Sequence, residues 1–355
     1  MSLFEAAAYR ARSSDRSGNP GAVVGLTPVS ASSSASQASE MALRNGDGVI
    51  DTEILESRSN PSASTPREAN VQPMISIETV ATIAELRVRI AAWRHEGLRT
   101  CLVPTMGALH EGHLSLVREA RARADRVIVS VFVNPAQFAP HEDFDRYPRR
   151  LDDDRAKLAG TGAAPLVFAP SVGEIYPEGF ATRIEIAGPA RGLETDFRPH
   201  FFSGVATVVA KLLLAAMPDI AIFGEKDYQQ LLVVRRLARD LGLPVEILGG
   251  TIVREADGLA MSSRNVYLAP AEREVAGQLN LILKNVATRV RAGDNIAETE
   301  AAGGVGLLNA GFNAVDYVAV RDAATLVPLE AFTGRARVLA AAKIGATRLI
   351  DNMEV

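Results

Sequence analysis

Cysteine and long apolar runs are nearly absent from this chain of 355 residues. Its single cysteine, Cys101, excludes a disulfide within the chain and a cysteine-based metal cage, and it is consistent with a reducing cytoplasm. The longest apolar candidate, 205–217, is interrupted by Lys211 and is shorter than the roughly 18 residues of a membrane span. The N-terminus lacks the charged-then-apolar pattern of a secretory signal. We therefore expect a cytoplasmic protein that has no membrane partner.

A basic surplus is also lacking. Lys and Arg number 38 and Asp and Glu number 42, which gives a formal net charge of −4. Proteins that bind nucleic acids generally carry an excess of basic residues, so we expect no nucleic-acid partner. A local basic pocket for phosphate groups remains compatible with this balance.

Residues 1–73 differ in composition from the rest of the chain. About one residue in five is Ser, and Gly, Ala, Arg and Pro supply much of the remainder. Such a segment buries too little apolar surface to offset its ordering entropy, which predicts a disordered N-terminal extension. We expect this segment to be one of three things: a misplaced gene start with Met74 as the true first residue, a regulatory tail, or a transit peptide. Its acidic residues disfavour the transit peptide.

From Met74 onward, short apolar runs alternate with amphipathic helical runs, and this pattern changes after about Val253. Strands that alternate with helices predict a parallel sheet with crossover helices. We predict an α/β protein with a Rossmann-like domain over 74–252 and a smaller α+β C-terminal domain over 253–355. The glycines at 303–306 are a loop signal that falls inside the helical stretch predicted near 296–308. The predicted helices span 80–95, 114–124, 205–217, 228–241 and 296–308, with one long helix after Pro270; the predicted strands span 101–104, 127–133, 166–168, 220–223, 245–253, 315–320, 336–343 and 348–352.

The first candidate site is the segment 104–113, which lies between a predicted strand and a predicted helix. Open parallel sheets bind ligands at the carboxyl ends of their strands, and a helix N-terminus attracts phosphate. Gly107 and Gly112 allow close approach of the backbone to a ligand. His110 and His113 are three residues apart, so on a helical turn they share a face and can donate hydrogen bonds to phosphates. The alternative is a helix cap with incidental histidines, whereas zinc would require a different spacing.

Two further segments carry groups suited to a nucleotide. In the run 224–230, Lys226 offers a point charge for phosphate, Asp227 a helix cap or a ribose contact, and Gln230 an amide. The alternative for this run is a charged, solvated helix start. In the loop 261–265, two serine hydroxyls beside Arg264 suit the oxygens of a triphosphate. Taken alone, this loop is more typical of an ordinary surface turn.

Four segments together resemble the pantothenate synthetase family in order and approximate spacing: 104–113, the Asn-Pro-Ala-Gln-Phe turn at 134–138, 224–230 and 261–265. The similarity covers 74–355. His110-Glu111-Gly112-His113 also resembles the H-x-G-H signature of nucleotidyltransferases. Met261-Ser262-Ser263-Arg264 resembles the KMSKS loop of class I aminoacyl-tRNA synthetases. The family's His-Phe-x-Gly-Val segment appears at 200–205 with one additional residue.

The resemblance implies a ligase that condenses (R)-pantoate with β-alanine through a pantoyl adenylate and releases AMP and pyrophosphate. This reaction makes pantothenate, a precursor of coenzyme A. ATP as co-substrate, Mg²⁺ and a homodimer are implied with it. Two other functions compete with this interpretation: another nucleotidyltransferase or tRNA-charging enzyme, and a non-catalytic nucleotide-binding module.

The resemblance also implies roles for individual residues. Gln137 would contact both pantoate and β-alanine, Gln230 would contact pantoate, and His113 would be the proton-donating group. Asp153 and Asp154 are candidate magnesium ligands, although Asp152-Asp153-Asp154 equally fits the acidic first turn of a helix. The implied catalytic residues are His113, His110, Lys226 and Arg264. The implied ATP site comprises Met106, Gly107, Ala108, Leu109, His110, Glu111, Gly112, His113, Gly224, Glu225, Lys226, Asp227, Val253, Met261, Ser262, Ser263 and Arg264.

Overall fold

The larger part of the fold is a six-stranded parallel sheet. The computed structural model describes residues 77–140 and 142–355, so the predicted disordered extension 1–73 lies outside the described residues. The strands run in the order β1-β4-β3-β2-β5-β6, and every pairing is parallel. The predicted α/β fold class is thereby confirmed. The strands are β1 (Thr79–Val80), β2 (Thr100–Thr105), β3 (Arg126–Val131), β4 (Leu166–Phe168), β5 (Ile220–Gly224) and β6 (Glu246–Gly250).

Helices cover both faces of this sheet. Successive residues of a strand point to opposite faces, and in β2 the side chain of Leu102 joins one apolar cluster while those of Cys101 and Val103 join the other. Cys101 is fully buried there. The helices of this part are α1 (Ile83–His95), α2 (Glu111–Arg123), α3 (Leu151–Ala159), α4 (Val172–Ile175), α5 (Glu194–Phe197), α6 (Phe201–Ala216) and α7 (Tyr228–Asp240).

A smaller antiparallel sheet with its own apolar core follows. Its strands are β7 (Ala314–Asp322), β8 (Ala336–Ile344) and β9 (Thr347–Glu354), in the order β7-β8-β9. The preceding helices are α8 (Pro270–Ala276), α9 (Gln278–Arg291) and α10 (Ile296–Ala310), and their apolar residues pack on this sheet. Leu193 and Leu232 also form an apolar cluster with Ala319 and Leu339. The smaller sheet therefore packs directly against the part of the fold built on the larger sheet.

The loop predicted at 303–306 is wrong, because these glycines lie inside α10. A Cβ atom on Gly303 would lie 2.8 Å from Val286 Cγ2 and 3.1 Å from Val318 Cγ1. The missing side chain of Gly303 lets α10 pack closely on α9 and β7, and the chain does not turn there. Composition alone does not distinguish these two uses of glycine.

Several helix boundaries also differ from the prediction; α6, for example, begins at Phe201 instead of residue 205. Val80 belongs to β1, and α1 begins only after Thr82, whose hydroxyl accepts a hydrogen bond from the backbone N–H of Glu85 in a capping box. The single helix predicted after Pro270 is divided at Gly277 into α8 and α9. In the described part of the chain, no helix has both the length and the apolar character needed to cross a membrane.

Candidate active site

The candidate site lies where the strand order of the larger sheet reverses. The chain passes from β2 to β3 and β4 on one side, whereas β5 and β6 extend the sheet on the other side of β2. Ligands bind at such a point, in the crevice beyond the carboxyl ends of the strands. A cavity of about 790 Å³ opens there, and residues of the smaller sheet, including Tyr317, Leu339 and Asn352, form part of its wall.

A carboxylate from α3 holds the turn between β2 and α2. Asp154 is 1 % exposed and accepts hydrogen bonds from the backbone N–H groups of Ala108 (3.0 Å) and Leu109 (2.7 Å). Lys157 Nζ donates to the carbonyl of Leu109 at 2.7 Å. Gly107 and Ala108 both have positive φ, +82° and +50°, and a Cβ on Gly107 would lie 3.0 Å from Asp154 Oδ2. The turn is therefore fixed in a conformation that needs glycine and this carboxylate.

His110 and His113 form a contacting pair at the start of α2, with ring centroids 4.1 Å apart. His110 caps the helix, and its Nδ1 accepts from the backbone N–H of Gly112 at 3.2 Å. Nδ1 of His113 accepts from the backbone N–H of His110 at 3.3 Å. A nitrogen that accepts carries no proton, so these bonds assign the N–H of each neutral ring to Nε2. Both residues line the cavity.

Both histidines are neutral near pH 7. Burial, reinforced by the charge of Lys226, lowers the pKa of His110 from 6.5 to about 4. Burial and the neighbouring His110 lower the pKa of His113 well below 6.5. Each ring therefore offers a neutral N–H donor rather than a cation.

We expect the free energy of unfolding to fall as the pH is lowered from 6.5 toward about 4. Both histidines have folded-state pKa values below their unfolded values, so in this window the unfolded chain binds protons that the folded chain does not. Urea unfolding at a series of pH values measures the slope. For a His110→Gln/His113→Gln double variant, the free energy of unfolding should fall less steeply as the pH is lowered. The control is His95→Gln, which replaces an exposed histidine and should keep the slope of the parent. Equal slopes for the double variant and the parent would contradict the lowered pKa values.

Gln137 is held in a fixed orientation at the wall of the cavity. It ends a 3₁₀ turn, Pro135–Gln137, and Asn134 Nδ2 donates to both Gln137 Oε1 and the carbonyl of Gly204, each at 3.2 Å. Tyr176 donates its hydroxyl proton to Asn134 Oδ1 at 2.8 Å, and Gln137 Nε2 lies 3.0 Å from the sulfur of Met106. These bonds leave the Gln137 side chain little freedom to rotate.

Close packing of α6 against this turn depends on Gly204. A Cβ on Gly204 would lie 2.8 Å from Cα of Gln137 and nearer still to the carbonyl of Ala136. Counted back from Gly204, the histidine of the His-Phe-x-Gly-Val segment corresponds to Phe201, and His200 precedes α6. Phe201 lines the cavity and lies under the guanidinium of Arg198, 3.9 Å from ring centroid to Cζ.

Hydrogen bonds connect the segment 261–265 to the segment 142–147 beside the cavity. Arg264 donates from Nε (3.1 Å) and Nη2 (3.0 Å) to the two carboxylate oxygens of Asp143. The hydroxyl groups of Tyr147 and Ser263 are 2.9 Å apart. Arg264 is therefore paired with a carboxylate in this structure.

Most of the predicted site residues converge on the cavity. Those that line it are Met106, His110, Gly112, His113, Gln137, Gly224, Lys226, Asp227, Gln230, Val253, Met261, Ser262, Ser263 and Arg264. Five others belong to the same turns without lining it: Gly107, Ala108, Leu109, Glu111 and Glu225. Asp153 and Asp154 do not line it either; the Asp153 side chain is 59 % exposed and lies 3.8 Å from Nη1 of Arg150.

A network of charged residues at the cavity was not found from the sequence. Arg198 donates from Nε (2.7 Å) and Nη2 (2.6 Å) to Glu142. Arg348 and the hydroxyl of Tyr317 each donate to Glu194 at 2.8 Å. Glu142, Glu194 and Arg198 belong to the part of the fold built on the larger sheet, whereas Tyr317 and Arg348 belong to the smaller sheet. Because they are far apart in the sequence, no local motif identifies them as a network.

The family model for pantoate-beta-alanine ligase matches residues 78–354. This chain belongs to the pantoate-beta-alanine ligase family. A pantothenate synthetase of Mesorhizobium japonicum is 57 % identical over 279 residues, which cover 78 % of this chain and 98 % of that protein. The family, the ligase class and the assignment to pantothenate biosynthesis predicted from the sequence are confirmed.

Solved structures of the family agree with this assignment. The pantothenate synthetase of Thermus thermophilus superposes with a TM-score of 0.72 at 50 % identity, over 78 % of this chain and 99 % of that chain. A pantoate-beta-alanine ligase of Francisella tularensis, complexed with beta-gamma ATP and beta-alanine, superposes with a TM-score of 0.65 at 33 % identity. That match covers 78 % of this chain and 97 % of the other.

Proposed function

We propose that this ligase condenses (R)-pantoate with β-alanine at the cavity beyond the carboxyl ends of β2 and β5, using ATP through a pantoyl adenylate. The convergence of His110, His113, Gln137, Lys226 and Gln230 on one cavity carries the proposal. The Francisella relative, which was complexed with beta-gamma ATP and beta-alanine, supports the choice of ligands.

An adenylate is required by the chemistry of the substrate. A carboxylate is a poor electrophile because its leaving group would be oxide. A pantoate carboxylate oxygen attacks the α-phosphorus of ATP, the bond from that phosphorus to the bridging oxygen breaks, and pyrophosphate leaves with the electron pair. The free-base amine of β-alanine then attacks the carbonyl carbon, the bond to AMP breaks, and the nitrogen loses a proton. The enzyme's task is to position groups in line and to stabilise charge.

Neutral histidines suit this task as hydrogen-bond donors. The Nε2–H groups of His113 and His110 donate to phosphate oxygens as negative charge develops, and Lys226 supplies the positive charge. His113 thus donates its proton into a hydrogen bond and does not need to be a cation. Gln137 and Gln230 bind pantoate without pairing its carboxylate with a cation, which would reduce its nucleophilicity. Gln137 also contacts β-alanine.

In this proposal the nucleoside and the triphosphate of ATP contact different walls of the cavity. The turn 224–227 holds the nucleoside, and backbone groups of Val253 face adenine. The segment 261–264 closes over the triphosphate, and Arg264 exchanges the carboxylate of Asp143 for phosphate oxygens. Exclusion of water by this segment protects the adenylate from hydrolysis.

Asp153 and Asp154 do not fit a shared magnesium site in this structure. Both carboxylate oxygens of Asp154 accept backbone N–H bonds, and Asp153 is exposed. Within the described ranges, no three His, Cys, Asp or Glu side chains are grouped so that they could hold a metal ion. We propose that Mg²⁺ enters on the ATP phosphates, as Mg²⁺ commonly does, and we assign it no protein ligand. A homodimer, supported by the family resemblance, and a cytoplasmic location, supported by the single buried Cys101, complete the proposal.

We expect pantoate alone to support exchange of labelled pyrophosphate into ATP. Adenylation precedes amide formation, so β-alanine is not needed for the reversible first step. The measurement compares exchange with pantoate, without pantoate, and with β-alanine in place of pantoate. Exchange that appears only when both substrates are present would contradict the stepwise mechanism. Binding of ATP without any exchange would indicate a non-catalytic nucleotide-binding module.

A further inference from the structure

The buried end of β9 contacts the turn that carries Lys226. Asn352 is 1 % exposed, and its Nδ2 donates to the carbonyl oxygens of Glu225 (2.9 Å) and Lys226 (2.8 Å). These two carbonyls belong to the 3₁₀ turn Glu225–Asp227, which connects β5 to α7. Both protons of the Asn352 amide nitrogen are therefore used on one turn of the larger sheet.

The orientation of the Asn352 amide is itself fixed. Its Oδ1 accepts from Nη1 of Arg337 at 2.6 Å, so the nitrogen is the atom that faces the turn. The guanidinium of Arg337 lies over the ring of Tyr228, the first residue of α7, at 3.8 Å. The amide cannot rotate without breaking this charge-assisted bond.

The neighbouring residue of β9, Asp351, binds the side chain of Arg254, which precedes the segment 261–265 in the chain. Asp351, 2 % exposed, accepts from Nη1 (2.7 Å) and Nη2 (3.0 Å) of Arg254. Arg254 Nη2 also donates to the carbonyl of Asn352 at 3.2 Å. Two successive residues of β9 are therefore hydrogen-bonded to different segments: Asn352 binds the turn 225–227, and Asp351 binds the side chain of Arg254, which adjoins Val253 at the wall of the cavity.

We infer that Asn352 is a positioning residue for Lys226. By holding the carbonyls of Glu225 and Lys226, it sets the backbone from which the Lys226 side chain enters the cavity. A displaced turn would leave the ammonium group misplaced when charge develops on the phosphates, and such misplacement is costly for catalysis. This inference rests on the proposed role of Lys226 in adenylation.

A double-mutant cycle separates positioning from general structural support. Pantoate-dependent ATP–pyrophosphate exchange is measured for the parent, Asn352→Ala, Lys226→Ala and the double variant. We expect Asn352→Ala to lower kcat of exchange by about ten- to hundredfold and to leave the KM for pantoate near the parent value. In the Lys226→Ala background, the same substitution should change kcat by less than about threefold, because the group that it positions is gone.

Asn280→Ala is the matched control. Asn280 is equally buried in the smaller part of the fold, and neither its Oδ1 nor its Nδ2 has a hydrogen-bond partner among the described residues. Its substitution should leave kcat of exchange unchanged. If Asn352→Ala does not fold, Asn352→Asp preserves the volume but cannot donate to the two carbonyls, and it takes the same place in the cycle.

Four outcomes of this cycle decide whether Asn352 positions Lys226. If the double variant loses less kcat than the product of the two single losses, the inference is supported. A loss from the Asn352 substitution that multiplies in full with that of Lys226→Ala, or a parent-like kcat, would overturn it while leaving the role of Lys226 intact. Normal exchange by Lys226→Ala would instead refute the proposed role of Lys226, and the inference would fall with it.

Discussion

His113→Ala is expected to lower the rate of pantoate-dependent ATP–pyrophosphate exchange by about 10²- to 10⁴-fold. The substitution removes a preoriented Nε2–H donor, whose direction is set by the bond from the backbone N–H of His110 to Nδ1. Water that enters the space has no such fixed orientation. Because the lost bond forms as charge develops, kcat should fall more than the affinity for ATP.

The control for this prediction is His95→Ala, which removes an exposed histidine at the end of α1. Its exchange rate should match that of the parent. Thermal unfolding of both variants establishes that they are folded. A folded His113→Ala enzyme with near-normal exchange would exclude His113 from the adenylation step.

Gly204→Ala is expected to destabilise the fold by about 3 kcal/mol, because the added carbon has no space to enter. It would lie 2.8 Å from Cα of Gln137, and the atoms that it overlaps belong to the backbone. Relief requires α6 and the Pro135–Gln137 turn to separate. The hydrogen bond from Asn134 to the carbonyl of Gly204 would be disturbed, and the KM for pantoate should rise with the displacement of Gln137.

Gly304→Ala provides the matched substitution. Gly304 also lies inside a helix, but a Cβ there meets nothing within 4 Å. Replacing it should stabilise the protein by about 0.5–1 kcal/mol through helix propensity alone. Urea unfolding of the two variants gives the comparison. If Gly204→Ala raised the free energy of unfolding as much as Gly304→Ala does, α6 would be able to move away from the turn at little cost.

The parallel sheet and its motifs could be predicted because local pattern determines them. The β-branched run at 127–133 and the apolar run at 220–223 correspond to β3 and β5, and each precedes a turn rich in functional groups. A ligand site at the reversal of strand order then follows from the topology. The acidic run at 152–154 does form the first turn of α3, which was one of its two interpretations.

The remaining contacts depend on tertiary packing, which leaves no local signal. In the sequence Asp154 is one residue of an acidic run, yet its carboxylate accepts a hydrogen bond from the backbone N–H of Leu109, 45 residues earlier in the chain. The bonds of Arg348 to Glu194 and of Asn352 to Lys226 span 154 and 126 residues. Such pairs cannot be found without the fold, since each partner taken alone is an ordinary polar residue.

The burial of Cys101 in β2 predicts that the native enzyme reacts very slowly with thiol reagents. Burial raises the pKa of Cys101 to about 12, so thiolate is scarce at neutral pH and the sulfur is inaccessible to solvent. A cysteine introduced on the surface would then be the single reactive thiol, and Cys101 would not have to be replaced first. Val266 is 74 % exposed and adjoins the segment 261–265. A fluorophore attached to Val266→Cys would therefore test whether that segment moves when ATP binds, as proposed, with little background from Cys101.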